Sequence, residues 1–312
     1  MRRLRSVVFG YHDIGVACLE EMLAAGDDVA LVVTHADRPD ENVWWRSVRE
    51  LADKHGLRCL VDPDLGSPDL AAQVRALAPD FIFSFMFRQL LPGQLLEIPR
   101  LGALNLHPSA LPRYRGRSPI NWVLARGEAE TGVTLHYMVE KPDRGDIVMQ
   151  RCFPIAQIDT ALTLHRRATD EARLLFRDAY PLLREQRAPR IEQDATQASY
   201  FGGRKPEDGA INWAWPARRI YDLVRAVTHP YPGAFTVHDG RRLFVWWARP
   251  EEDLVDLAPG QLAVSCTAVR VGTGRGALRL ERVQVAGQAE RDARDWANTA
   301  AIQSGDRLGP RS

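Results

Sequence analysis

The segment Ser6-Val7-Val8-Phe9-Gly10-Tyr11-His12-Asp13-Ile14-Gly15 decides the fold. Its apolar run does not alternate with polar residues, so the strand it predicts is covered on both faces, as in a parallel sheet. Gly10 ends the run, and Asp13 to Ala25 then reads as a helix. Working outward, the same grammar repeats: strands at Val29–Thr34, Leu57–Val61, Phe81–Phe85 and Leu101–Leu106, with helices at Val43–His55 and Pro68–Leu77 between them. Apolar strands separated by helices predict an α/β fold with a Rossmann-like, mostly parallel sheet, whose ligands bind beyond the carboxyl ends of the strands. A dinucleotide fingerprint would need a second glycine where His12 stands, because a side chain there blocks the pyrophosphate. NAD binding is therefore not expected.

The grammar changes further on. Ser118 to Arg126 reads as a helix, Thr131–Val139 and Ile147–Phe153 as strands joined by a loop at Asp143, and Thr163–Glu185 as a long amphipathic helix. Gln186–Lys205 is polar and irregular, a linker by composition. Beyond it lie a helix at Ala217–Val227 and short strands at Ala234–Val237, Leu243–Trp247, Gln261–Ser265, Ala268–Val271 and Leu278–Val285, the spacing of a small β-barrel-like domain. The expected division is residues 1–200 as the larger α/β domain, 201–290 as the small β-rich domain and 291–312 as a tail.

Bulk properties narrow the function classes. The 312 residues are 45% hydrophobic and 26% charged, ordinary for a globular chain, and the net charge of +1 gives no basic field for nucleic acid. Lysine occurs only at Lys54, Lys141 and Lys205, so arginine supplies nearly all the cations. Cys18, Cys59, Cys152 and Cys266 are scattered, which predicts reduced thiols, a cytoplasmic location and neither a disulfide framework nor a cysteine-based zinc site. The basic start Met1-Arg2-Arg3-Leu4-Arg5 precedes an apolar run too short for a signal peptide, and no stretch predicts membrane insertion.

The chemistry concentrates in Asn105-Leu106-His107-Pro108-Ser109-Ala110-Leu111-Pro112-Arg113-Tyr114-Arg115-Gly116 and in Asp143-Arg144-Gly145-Asp146-Ile147. Asn105 and His107, two apart at a strand end, project to the same side. An amide, an imidazole and the carboxylate of Asp143 suit acyl transfer through a tetrahedral oxyanion: the first two donate to the developing charge, and the third favours a charged imidazole and helps move a proton. Nothing in this chemistry needs a metal, and no metal site is expected; His136 and His165 read as ordinary structural or surface histidines. Tyr200, Arg204 and Lys205 set cations beside aromatic rings.

Together with Glu130-Thr131-Gly132-Val133-Thr134, these strings resemble the folate-dependent formyltransferases from Val7 to about Val285. Val8 to Gly15, Ile82 to Phe85, Tyr114 to Leu124, Val224 to Val227 and Pro232 to Phe235 carry the likeness. It is strongest to the formyltransferase half of the bifunctional enzyme that modifies 4-amino-4-deoxy-L-arabinose for lipid A and polymyxin resistance. Asn-x-His and Asp-x-Gly are common to the superfamily, whereas Tyr11-His12-Asp13 and Asn121-Trp122 are similar to its sugar branch. The resemblance implies Asn105, His107 and Asp143 as catalytic residues and 10-formyltetrahydrofolate as co-substrate. It implies a folate site at Gln89, Leu90, Leu91, Arg117 and the loop Val139-Glu140-Lys141-Pro142-Asp143. The implied acceptor is a nucleotide-linked amino sugar, UDP-4-amino-4-deoxy-L-arabinose first, whose base and diphosphate the ring of Tyr200 and the cations of Arg204 and Lys205 would suit. A thymidine-linked 4-amino-dideoxy sugar or methionyl-tRNA is the alternative. Pro108 and Ala110 depart from that relative and bear on the acceptor rather than on the chemistry. The second, decarboxylating domain of the lipid A enzyme has no counterpart in this sequence, and oligomeric state is left open, a homodimer being one option.

Overall fold

The computed structural model describes residues 3–39, 41–253 and 257–309. The start of the basic N-terminal run and residues 310–312 of the expected tail lie outside them. The chain divides into two compact units, one formed by Met1–Pro119, Glu130–Pro154 and His165–Gly202, the other by Ile120–Ala129, Ile155–Leu164 and Gly203–Ser312. The second unit thus takes two segments from within the stretch expected to be one domain.

In chain order the elements are β1 (Arg5–Gly10), α1 (His12–Ala24), β2 (Asp28–Thr34), α2 (Val48–Lys54), β3 (Cys59–Val61), α3 (Pro68–Ala76), β4 (Phe81–Phe85), α4 (Gly93–Leu96), β5 (Gly102–His107), β6 (Arg115–Gly116), α5 (Pro119–Ala125), β7 (Glu130–Tyr137), β8 (Ile147–Pro154), α6 (Ala161–Arg184) and β9 (Tyr200–Phe201). They continue with α7 (Ala217–Val227), β10 (Ala234–His238), β11 (Arg241–Glu251), β12 (Leu262–Val264), β13 (Val269–Gly272), β14 (Ala277–Val285), β15 (Arg291–Asp292) and α8 (Ala293–Thr299).

The first unit is built on a seven-stranded sheet, β3-β2-β1-β4-β5-β7-β8. Strands β1 to β5 pair in parallel, and β7 and β8 add antiparallel to that edge. The apolar runs are buried on both faces, as the lack of alternation requires. Val7, Phe9, Leu31, Val33 and Ile82 pack with Leu70, Val74 and Leu95 on one side. On the other side Phe83 meets Phe176 and Tyr180 of α6 at ring distances of 5.5 and 5.9 Å.

The second unit carries a six-stranded antiparallel sheet, ordered β10-β11-β14-β13-β12 with β15 alongside β14. Among the described residues the ladder ends at β10 and β12. The expected tail is a correction: Arg291–Asp292 pair with β14, and α8 buries Ala293, Trp296 and Ala297. Alanines and a tryptophan at helical spacing give that helix the buried face the composition concealed. The helix expected from Val43 starts at Val48, where Ser47 caps it by accepting from the Glu50 N–H. The two tryptophans ahead of it turn to other partners.

Candidate functional site at the carboxyl edge of the sheet

Register explains the centre of the site. β5 delivers Asn105 and His107 to its carboxyl end, and the antiparallel pairing with β7 sets His136 directly across from Asn105. Directly opposed residues share a face of the sheet. Asn105 Nδ2 lies 3.2 Å from His136 Nε2 and 3.5 Å from Asp143 Oδ1. The same Oδ1 is 3.6 Å from His107 Nδ1 and 3.6 Å from His136 Nε2. Three nitrogens from two strands converge on one carboxylate oxygen.

Each group is held from behind. His107 Nε2 donates to the Tyr114 carbonyl at 2.8 Å, and a carbonyl can only accept, so this nitrogen carries the proton and Nδ1 faces Asp143. His136 Nδ1 likewise donates to the Tyr137 carbonyl at 2.8 Å, leaving Nε2 toward Asn105 and Asp143. Asp143 Oδ2 accepts from the Gly116 N–H at 2.8 Å. Burial raises the cost of charge on Asp143, but the imidazole charge of His107 and the Gly116 N–H outweigh it and hold the carboxyl well below the usual range.

The Asp-x-Gly spacing has a steric cause. Asp143 takes a left-handed φ of 57°, and a Cβ on Gly145 would fall 1.9 Å from the Tyr137 carbonyl oxygen. Gly116 has a φ of 100°, and its Cβ would meet the Phe201 carbonyl at 2.1 Å, where β6 pairs with β9. Only glycine fits either position. Gln193, inside the segment expected to be a plain linker, donates to the carbonyls of Asp143 and Gly145 at 3.0 and 2.8 Å. Its own Oε1 accepts from Arg115 at 2.7 Å.

His136, Gln193 and Arg115 are thus site residues that the sequence reading missed. For His136 the signal was present: Asn105 and His136 are opposed once β5 and β7 pair antiparallel, but that register is not visible in one strand alone. His165, also expected to be ordinary, is buried against His12 at a ring distance of 4.3 Å. Burial and the neighbouring His165 lower His12 to about 2, and burial lowers His165 to about 4.

Of the positions implied for folate, Gln89, Leu90, Arg117, Val139, Glu140 and Lys141 are exposed, Pro142 and Asp143 are half-buried, and Leu91 joins the core. Leu90 and Val139 expose 73% and 47% of their surface. Arg117 donates to the Arg88 carbonyl at 2.9 Å and so ties the loop after β6 to the Arg88–Leu91 segment. Tyr200 stands 65% exposed on β9 in the first unit, next to Phe201, which stacks on Tyr114 at 4.9 Å. Arg204 and Lys205 belong to the second unit. There the Arg204 guanidinium lies 4.4 Å from the Trp122 ring centroid, and the Lys205 N–H is capped by Asp208 at 2.7 Å.

Residues 4–179 match the formyl transferase family model, and residues 204–301 match that of the formyl transferase C-terminal domain. An N-formyltransferase from Helicobacter canadensis, solved with folinic acid and dTDP-3-aminofucose, superposes with a TM-score of 0.69 at 19% identity, over 89% of this chain and 99% of that one. WlaRD, a sugar 3N-formyl transferase solved with dTDP and 5-N-formyl-THF, gives 0.69 at 19% identity, over 93% of this chain and 100% of its own. HypX from Aquifex aeolicus, solved with tetrahydrofolic acid, gives 0.64 at 17% identity; the match takes in 99% of this chain but 51% of HypX. The first family model alone covers more than half of the sequence, and the chain belongs to the formyl transferase family.

Proposed function

We propose that this protein is a folate-dependent N-formyltransferase that moves the formyl group of 10-formyltetrahydrofolate onto the 4-amino group of a nucleotide-linked amino sugar, with UDP-4-amino-4-deoxy-L-arabinose as the foremost acceptor. The observation that carries the chemistry is the convergence of Asn105, His107 and His136 on Asp143 Oδ1. Structural neighbours solved with folates and with dTDP or a dTDP-sugar support the two substrate classes. The exposed apolar side chains of Leu90 and Val139 suit a flat pterin.

In this reading the amine attacks the formyl carbon, a carbon–nitrogen bond forms, and the carbonyl oxygen becomes an oxyanion. One N–H of the Asn105 amide is taken by His136, while the contact to Asp143 at 3.5 Å is at the limit of a hydrogen bond. That second N–H turns to the oxyanion. His107, anchored through Nε2, presents Nδ1 as a charged second donor. Donors of this kind are worth ~3–4 kcal/mol each in the transition state. Asp143 balances the imidazolium and relays the amine proton through water. Collapse then breaks the bond to N10 of the folate, which takes up a proton as it leaves.

The acceptor is tested by competition among UDP-4-amino-4-deoxy-L-arabinose, a thymidine-linked 4-amino-dideoxy sugar and methionyl-tRNA, with 10-formyltetrahydrofolate as donor. Preferential formylation of the UDP sugar is the expected result; formylation of tRNA alone would overturn the sugar assignment.

A further inference from the structure

At the start of α1 a second cluster stands apart in composition from the Asn105 site. His12 Nδ1 lies 3.5 Å from Asp13 Oδ2, and His165 Nε2 lies 3.8 Å from the same oxygen. All three atoms fall within 4.8 Å of one another. We propose that His12, Asp13 and His165 bind one divalent transition-metal ion of the zinc class, as a structural clamp that takes no part in formyl transfer.

The distances fit. Zinc bonds of roughly 2.0–2.2 Å in a tetrahedron put neighbouring ligand atoms about 3.4 Å apart, close to the two spacings from the Asp13 oxygen, and the two imidazole nitrogens lie within 4.8 Å. The lone pairs also fit. His12 Nδ1 accepts from the Asp13 N–H at 2.9 Å, so this nitrogen is unprotonated, the tautomer that ligation through Nδ1 requires, and its single lone pair would exchange that N–H for the ion. His165 is 2% exposed, and its Nε2 has no hydrogen-bond partner. A buried imidazole nitrogen left without a partner is costly, and it points here at the other two ligand atoms.

The surroundings orient these groups as the outer shell of a metal site does. Asp13 Oδ1 accepts from the backbone N–H and the Nε of Arg46 at 3.2 and 3.3 Å, which leaves Oδ2 to the imidazoles. Trp45 stacks on His12 at 4.5 Å, and Trp44 stands edge-on to His12 and His165 at 4.7 and 5.1 Å. His12 itself holds a left-handed φ of 65°. Two imidazoles select zinc, cobalt or nickel over hard magnesium or calcium, which prefer oxygen. The Arg46 charge opposes every cation equally and so leaves that selection intact. Three protein ligands leave a fourth position for water. The ion would join the first turn of α1 to α6 and to the Trp44–Arg46 segment.

The test is a Co2+ titration of the tag-free, chelator-treated full chain, read by visible d–d absorption, followed by displacement with Zn2+ and by thermal melts. One saturable equivalent with a tetrahedral spectrum, lost to Zn2+, and a melting point raised by Zn2+ but not by Mg2+ are expected. His165→Gln and Asp13→Asn should each weaken Co2+ binding roughly tenfold or more. His12→Asn, which tolerates the positive φ, should do the same. If His165→Gln does not fold, Asp13→Asn at a half-buried carboxylate decides. No saturable signal in the wild type, or equal binding by the variants, overturns the proposal.

Discussion

Asp143 Oδ1 is shared among three nitrogens, so substitutions there differ in kind. In the proposed mechanism Asn105→Ala and His107→Ala each remove a donor to the oxyanion, and each should lower kcat by about 10²–10³ while the thermal melt stays close to wild type. His136 touches Asn105 rather than the reacting atoms. His136→Ala should therefore lower kcat with little change in the KM for folate, and His136→Gln, whose amide can still accept from Asn105, should restore part of it; steady-state kinetics of both variants check this. The Asp143 carboxyl is held low in the folded state. Its contribution to stability is complete above the ordinary carboxylate value of about 3.9 and is lost as pH falls through the lower folded value. The melting-point gap between wild type and Asp143→Asn should thus be widest at neutral pH and close toward strongly acid pH. Asn105, His107 and Asp143 were legible as a candidate set because residue type and spacing alone suggest their chemistry. His136 was not, because an isolated histidine in an apolar strand has no signature until its cross-strand partner is known.

Strand and loop elements carry the geometry that those side chains need. The parallel strands were readable from their unbroken apolar runs, and β1, β2 and β4 lie close to where those runs predict. Phe83 is fully buried between α6 and the sheet, so Phe83→Ala should cost ~3–5 kcal/mol in chemical denaturation. The loop at Asp143 is set by backbone sterics rather than by packing. Gly145→Ala would force a Cβ against the Tyr137 carbonyl oxygen, displacing the carboxylate and destabilising the fold by about 1–3 kcal/mol, and activity should fall further than stability. Gln193 escaped the sequence reading for a different reason: it lies in a polar, irregular segment, and its role comes from the carbonyls the fold brings to it. The helix expected from Val43 is shorter because Ser47 caps it and because Trp44 and Trp45 pack on His12 instead of extending a helical face.

At the scale of the whole molecule, the two units have different sheets, and the change from apolar runs to short antiparallel strands marked that difference in the sequence. The boundary itself was not readable, since Ile120–Ala129 and Ile155–Leu164 join the second unit from within the first. Long-range exchange of this kind leaves no local mark in composition. No described helix is long and apolar enough to cross a membrane. The most direct test of the account follows an isotopically labelled formyl group from 10-formyltetrahydrofolate to the amine of UDP-4-amino-4-deoxy-L-arabinose in a single turnover, for the wild type and for His107→Ala with folate binding measured in parallel. Labelled formamide from the wild type and a rate lower by orders of magnitude in the variant with folate still bound are expected; near-normal transfer by His107→Ala would contradict the proposed role of the Asn105 site.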